Sequence, residues 1–185
     1  MERHFFIRRF IAILMGSMIC VAVYAQQHTL EETDLNDLRN RELVLDFIEN
    51  IRESYKRKDI AYISEVYLGE VYQGNDLNIN RQNVYYSTMS KEEYLSNLRK
   101  AFAKNENINI KFEDVKIERH PRNPNIYGIT LRQKWSTSTY NDDGWLFMMI
   151  DFTDKDNPLI LKRTWQSYEK TPKDEIFKLE DFLND

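Results

Sequence analysis

The residues best suited to chemistry lie in three strand-like segments of the C-terminal half. At alternating positions these segments carry Gln133 and Trp135, then Phe147 and Asp151, then Arg163 and Trp165. Arg163 brings a permanent charge and a fork of N–H donors, Gln133 an amide that both donates and accepts, and Asp151 a carboxylate. The tryptophans and the phenylalanine supply broad apolar walls. A few polar groups among large rings is the composition of a small-molecule pocket. In that reading Arg163 orients an acidic or carbonyl group while the rings hold an apolar body. A second reading stands beside it: the same rings build ordinary cores, and Arg163 with Asp151 is a structural ion pair, because buried charges persist when paired. A catalytic version uses Asp151 as a base, with Arg163 or Tyr127 as the electrophilic partner.

Other chemistries lack their residues. The histidines are His4, His28 and His120, far apart, and the single cysteine is Cys20. No metal-ligand spacing results, so no metal site and no cofactor are expected. No serine sits in a motif with a histidine base. The five glycines are scattered rather than gathered into a phosphate-cradling loop. Asp154–Asp156 lacks the ligand spacing of a calcium loop and reads as a turn, as does the Pro-flanked His120. A formal net charge of −4 without a basic block argues against a nucleic-acid partner.

The N-terminus reads as a cleavable export signal over residues 1–25. Arg3, Arg8 and Arg9 precede an apolar run from Phe10 to Val23, and Val23-Tyr24-Ala25 offers a small residue at the cut. A retained anchor needs about 20 apolar residues, more than this run holds. A lipoprotein signal needs a cysteine at the cut, and Ser17-Met18-Ile19 before Cys20 fits poorly. Cleavage after Ala25 implies a periplasmic or secreted protein with no stable membrane anchor and no cysteine. Residues 26–37 read as a flexible tail and 38–185 as one domain.

Within that domain, Val44, Phe47, Ile48, Ile51 and Tyr55 follow one helix face over 38–57. A short helix follows from Asp59 to Tyr67. Gly74-Asn75-Asp76 marks a turn between Val71-Tyr72 and Leu77–Ile79. Ser90 and Glu93 form a capping box for a helix to Ala103, with Tyr94, Leu95, Leu98 and Phe102 aligned. Apolar alternation starts at Ile108 and changes parity near Glu113-Asp114, which predicts a bulge. Strands at 126–138, 145–152 and 159–166 are separated by turns at Asn141–Gly144 and Asp154–Pro158. The predicted inner face carries Ile129, Leu131, Gln133 and Trp135 with Trp145, Phe147, Met149 and Asp151, and with Leu161, Arg163 and Trp165. Residues 174–183 read as a terminal helix. The predicted third strand is apolar on both faces, so either that helix or a second copy of the chain, giving a homodimer, must cover one of them.

Helices ahead of an antiparallel sheet make the fold class α+β: N-terminal helices on a curved sheet of about four main strands, closed by a short C-terminal helix. This element order over about residues 40–167 carries a resemblance. Together with the stretches Tyr127–Trp135, Gly144-Trp145-Leu146-Phe147 and Arg163-Thr164-Trp165-Gln166, the chain resembles the nuclear-transport-factor-2-like superfamily of cystatin-like cones. It looks most like the superfamily's secreted bacterial members. The resemblance implies isomerases, dehydratases, hydrolases or pure binding modules, and fold alone does not choose among them. The isomerase branch's Asp, Tyr and protonated acid do not map onto this sequence. The leading expectation is an exported non-catalytic binding or interaction domain with an aromatic-lined inner face for a small ligand. Its rivals are a small-molecule isomerase, dehydratase or hydrolase, and a structural dimer module of the cell envelope.

Overall fold

The computed structural model describes residues 38–69, 71–74 and 86–183. The export signal, the tail and the turn expected at Asn75-Asp76 lie outside the described residues. The chain divides into two compact units, Met1–Leu43 and Val44–Asp185. Helix α1 is described over 38–57, and its buried face, Val44, Phe47, Ile48, Ile51 and Tyr55, belongs to the second unit.

That unit continues through α2 (Ile60–Val66), β1 (Val71–Gly74), β2 (Tyr86–Met89), α3 (Lys91–Lys104), β3 (Ile108–Arg119), β4 (Ile126–Thr137), β5 (Asn141–Asp151) and β6 (Leu159–Ser167). Local chemistry starts the helices where the sequence predicts. Asp59 accepts a hydrogen bond from the Tyr62 amide at 3.1 Å and caps α2. Ser90 and Glu93 close the capping box of α3, the Glu93 amide donating to Ser90 Oγ at 3.2 Å and the Ser90 amide to Glu93 Oε2 at 2.9 Å.

Among the described residues the strands form one sheet in the order β2-β1-β6-β5-β4-β3. The four long strands are an antiparallel meander. The excursion before α3 adds two short strands: β1 pairs antiparallel with β2 and meets β6 in parallel at Val71 and Arg163. The predicted bulge in β3 is present between Glu113 and Lys116, with Asp114 at φ 53°. It puts Ile110 beside Trp135 and Ile117 beside Ile129, so both halves of β3 serve one face.

The β4–β5 hairpin turns earlier than expected, and this reverses one strand. The turn is Thr137–Tyr140, not Asn141–Gly144. Thr137 Oγ1 accepts from the amides of Thr139 and Tyr140 at 3.3 and 3.0 Å, and the Thr137 amide donates to the Tyr140 carbonyl at 2.9 Å. Asn141 through Gly144 then start β5, with Ser136 opposite Asn141. Leu131 consequently faces Leu146, and Ile129 faces Met148. Leu146 in turn faces Trp165 and Met148 faces Arg163. The helix-facing side of β5 is Asp142, Gly144, Leu146, Met148 and Ile150; Trp145, Phe147, Met149 and Asp151 point the other way. A one-residue slip moves every side chain of a strand to the opposite face. Leu161 is the extra residue of a bulge in β6.

The outer face is covered from within the chain. After β6 the C-terminal helical segment consists of two 3-10 turns, Lys173–Glu175 and Leu179–Phe182. Gln166 Nε2 donates to the Glu175 carbonyl and the Phe177 amide donates to Gln166 Oε1, both at 2.9 Å, and Thr130 Oγ1 donates to the Phe177 carbonyl at 3.1 Å. Phe182 stacks on Phe147 with centroids 4.8 Å apart. Leu179 sits over Gly128, where a Cβ would approach its side chain to 2.7 Å. The cover that the sequence reading offered to either a helix or a second copy is thus supplied here by residues 173–182.

Candidate functional site

The helix-facing side of the sheet gathers Gln133, Trp135, Arg163 and Trp165, four of the six predicted site residues. Gln133, Arg163 and Trp165 are buried, at 5%, 7% and 6% exposure, and Trp135 is half-buried. The other two lie elsewhere. Phe147 is on the outer face under Phe182. Asp151 ends β5 and accepts from the Thr153 amide at 2.7 Å and its hydroxyl at 2.6 Å, which makes it a turn residue. The expected Arg163–Asp151 pair is therefore not formed: the reversed parity of β5 puts the two side chains on opposite faces. Tyr127 is buried on the helix-facing side, edge-on to Phe152 at 5.8 Å, with no hydrogen-bond partner for its hydroxyl among the described residues. His120 Nδ1 accepts the amides of Arg122 and Asn123 and so organises the turn after β3.

Above the inner face three helical elements each contribute a tyrosine. Tyr55 comes from α1, Tyr67 from the end of α2 and Tyr94 from the first turn of α3. The Tyr55 hydroxyl bonds to Tyr67 at 2.9 Å and also to Tyr94, and the Tyr67 and Tyr94 hydroxyls are 3.5 Å apart. Each hydroxyl both donates and accepts, so the triangle satisfies itself. Tyr55 also meets Trp135 edge-on at 5.8 Å. Burial pushes the phenols of Tyr55 and Tyr67 well above the ordinary tyrosine range, which leaves them protonated donors at neutral pH.

Arg163 lies beneath this triangle, its guanidinium carbon 5.4 Å from the Tyr94 ring centre. Its Nε has no hydrogen-bond partner among the described residues, and neither has Nε1 of Trp165, the next inward-facing residue of β6. Burial acts against the guanidinium charge and Asp142 acts in its favour, while the protonated phenols of Tyr55 and Tyr67 add no charge of their own. A buried donor left unpaired costs about 1–3 kcal/mol, and more when charged. The indole can sit where it does because Gly144 has no side chain: a Cβ there would be 2.4 Å from Trp165 Cε2 and 2.5 Å from Nε1. The inner face thus presents a fixed cation and an indole N–H, with aromatic rings around them. Such a surface suits a planar ligand bearing oxygen acceptors. Among the described residues, no three His, Cys, Asp or Glu side chains are placed to hold a metal ion.

No protein-family model matches the sequence, and no curated protein matches it. Solved structures do. Bd1075 from Bdellovibrio bacteriovorus superposes with a TM-score of 0.55 at 14% identity, over 71% of this chain and 41% of that one. This chain therefore spans less than half the length of that structure. A protein named as a dehydratase of the nuclear-transport-factor-2-like family, from Streptomyces avermitilis, gives 0.54 at 14% identity over 68% of this chain and 94% of its own. One named for scytalone dehydratase, from Novosphingobium aromaticivorans, gives 0.55 at 8% identity over 71% and 85%. The chain has the nuclear-transport-factor-2-like fold. Identities this low carry the fold and not an activity. Among the described residues, three of the four buried side-chain atoms without a hydrogen-bond partner, the Tyr127 hydroxyl, Arg163 Nε and Trp165 Nε1, lie on the face between helices and sheet, and the fourth, Thr164 Oγ1, lies on the outer face.

The sequence reading missed the tyrosine triangle. Tyr55 and Tyr94 register there as apolar members of helix faces. The available signal was that a phenol on a core-facing stripe carries a hydroxyl that needs a partner, and three helical segments each carry such a tyrosine.

Proposed function

We propose that this chain is an exported, non-catalytic binding domain that holds a small ligand between its helices and the inner face of its sheet. One observation carries the reading: Arg163 is buried with its Nε unpartnered beside an equally orphaned Trp165 indole. A plain core would fill these positions with apolar side chains. Aromatic walls with a few unsatisfied donors are what a ligand site offers.

A second reading, a small-molecule isomerase, dehydratase or hydrolase, draws on the two solved relatives whose names refer to dehydratases. The expected base counts against it, since Asp151 is engaged in its own turn on the other side of the sheet. Of the groups around Arg163, Tyr55 and Tyr67 are phenols held in their protonated form, which act as donors rather than bases.

Fragment screening by NMR on the processed chain tests the binding reading. Hits should give contacts to the rings of Tyr55, Tyr94, Trp135 and Trp165; hits confined to other surfaces overturn it. Export is tested separately. Mass spectrometry of the native protein should find a chain beginning at Gln26, and a full-length chain in the membrane fraction would refute cleavage.

A further inference from the structure

We propose that the ligand of the inner face is a ring-bearing organic carboxylate, its oxyanion held by Arg163 and a further oxygen by the indole N–H of Trp165. The inference rests on the binding reading above and adds the chemical class of what is bound.

Two side chains carry it independently. Arg163 and Trp165 are adjacent inward-facing residues of β6, and each is more than nine-tenths buried. Each carries a donor without a partner among the described residues, Nε of the one and Nε1 of the other. Neither group can accept a hydrogen bond, so whatever satisfies them supplies lone pairs. The charge selects an anion over a neutral carbonyl, because an anion adds Coulomb attraction to the hydrogen bond in a site of low dielectric.

The surroundings set the rest of the molecule. Tyr94 lies over the guanidinium, and Trp135 meets Tyr55 edge-on. Rings in such arrangements accept a further ring edge-on or offset. A hydrated inorganic anion would leave those apolar faces without use. A planar organic acid matches both the donors and the walls.

Phenylacetate and its neutral isostere 2-phenylethanol are the probes. Titrated into the processed chain, phenylacetate should move the indole N–H resonance of Trp165 downfield, and 2-phenylethanol should leave it in place. By calorimetry Arg163→Met should weaken phenylacetate about 10- to 100-fold. Arg163→Lys should restore part of the affinity, and Trp165→Phe should cost about 3- to 10-fold. Equal affinity for the two probes, unaffected by Arg163→Met, overturns the carboxylate assignment and leaves the binding reading standing. Binding of phenylacetate without movement of the Trp165 resonance also overturns the assignment. If neither probe binds and the Trp165 N–H exchanges with bulk water, the donors are water-satisfied, and the assignment and the binding reading fall together.

Discussion

The indole of Trp165 occupies the space that a side chain on Gly144 would fill, with Cε2 at 2.4 Å and Nε1 at 2.5 Å from the Cβ position. A real Cβ does not reach such distances, so Gly144→Ala must displace a buried indole or the β5 backbone. Overpacking of this kind typically costs about 1–3 kcal/mol. Urea denaturation should show that loss, and the Trp165 indole N–H resonance should move even without ligand. An unshifted resonance with full stability would mean that the ring does not lie against Gly144.

The tyrosine triangle gives the fold a pH limit on the alkaline side. Burial raises Tyr55 and Tyr67 above their unfolded value near 10. Above that value the unfolded chain releases phenolic protons that the folded chain keeps. Stability is therefore fully present below about pH 10 and falls as pH rises toward the higher folded values. Tyr67→Phe should flatten this alkaline slope and, by removing one of the two hydroxyl partners of Tyr55, cost about 1 kcal/mol near neutrality. Phenolate absorbance should report the buried tyrosines ionising only as the protein unfolds.

Much of this architecture was legible because it rests on local chemistry. The Ser90–Glu93 box, the Asp59 cap and the Asp114 bulge are each specified by a few neighbouring residues, and each is where the sequence puts it. The parity of β5 was not legible. Asn141-Asp142-Asp143-Gly144 has the composition of a turn, but Thr137 makes a tighter one just before it. Asp143 then finds a long-range partner: Arg132 donates to its two oxygens at 2.8 and 2.7 Å. Nothing in a linear sequence weighs a threonine turn plus an ion pair against a stronger-looking turn four residues later. The slip carried Phe147 and Asp151 to the wrong face and hid the isolation of Arg163.

That ion pair makes a modest prediction of its own. Arg132 holds the Asp143 carboxyl below its ordinary range, chiefly through its hydrogen bonds. A depressed folded value contributes stability above the unfolded value near 3.9 and loses it as pH falls through the folded one. The Asp143 side chain is 37% exposed, so solvent screening keeps the gain below about 1 kcal/mol. Asp143→Asn should therefore lower stability slightly at neutral pH and not at all in strong acid, as read from denaturation midpoints across that range.

The C-terminal segment shields Phe147 and Thr164, both 1% exposed on the outer face. Deleting residues 171–185 would uncover Phe147, Gly128 and the ring-stacking position of Phe182 together. An apolar patch of that kind favours self-association. Sedimentation velocity should show the shortened chain associating more than the full chain at equal concentration. Equal behaviour would mean that the outer face is shielded by something other than residues 171–182.

Arg163 offers the clearest contrast between stability and function. A charge buried with its Nε unpartnered among the described residues is a burden on the folded state, since burial removes solvation that its bonds do not fully replace. Replacing it with methionine keeps an unbranched apolar stem of similar reach and removes the unpaired Nε. Exchanging buried ionic groups for well-packed apolar ones is often neutral or stabilising by about 1–4 kcal/mol. Arg163→Met should then unfold at the same or a higher temperature than the parent chain, by differential scanning calorimetry. A residue that raises stability when lost is kept for another reason, and here the open donors name it as recognition. A fall of several degrees on substitution would instead make Arg163 a structural member of the core, held by the tyrosine triangle above it.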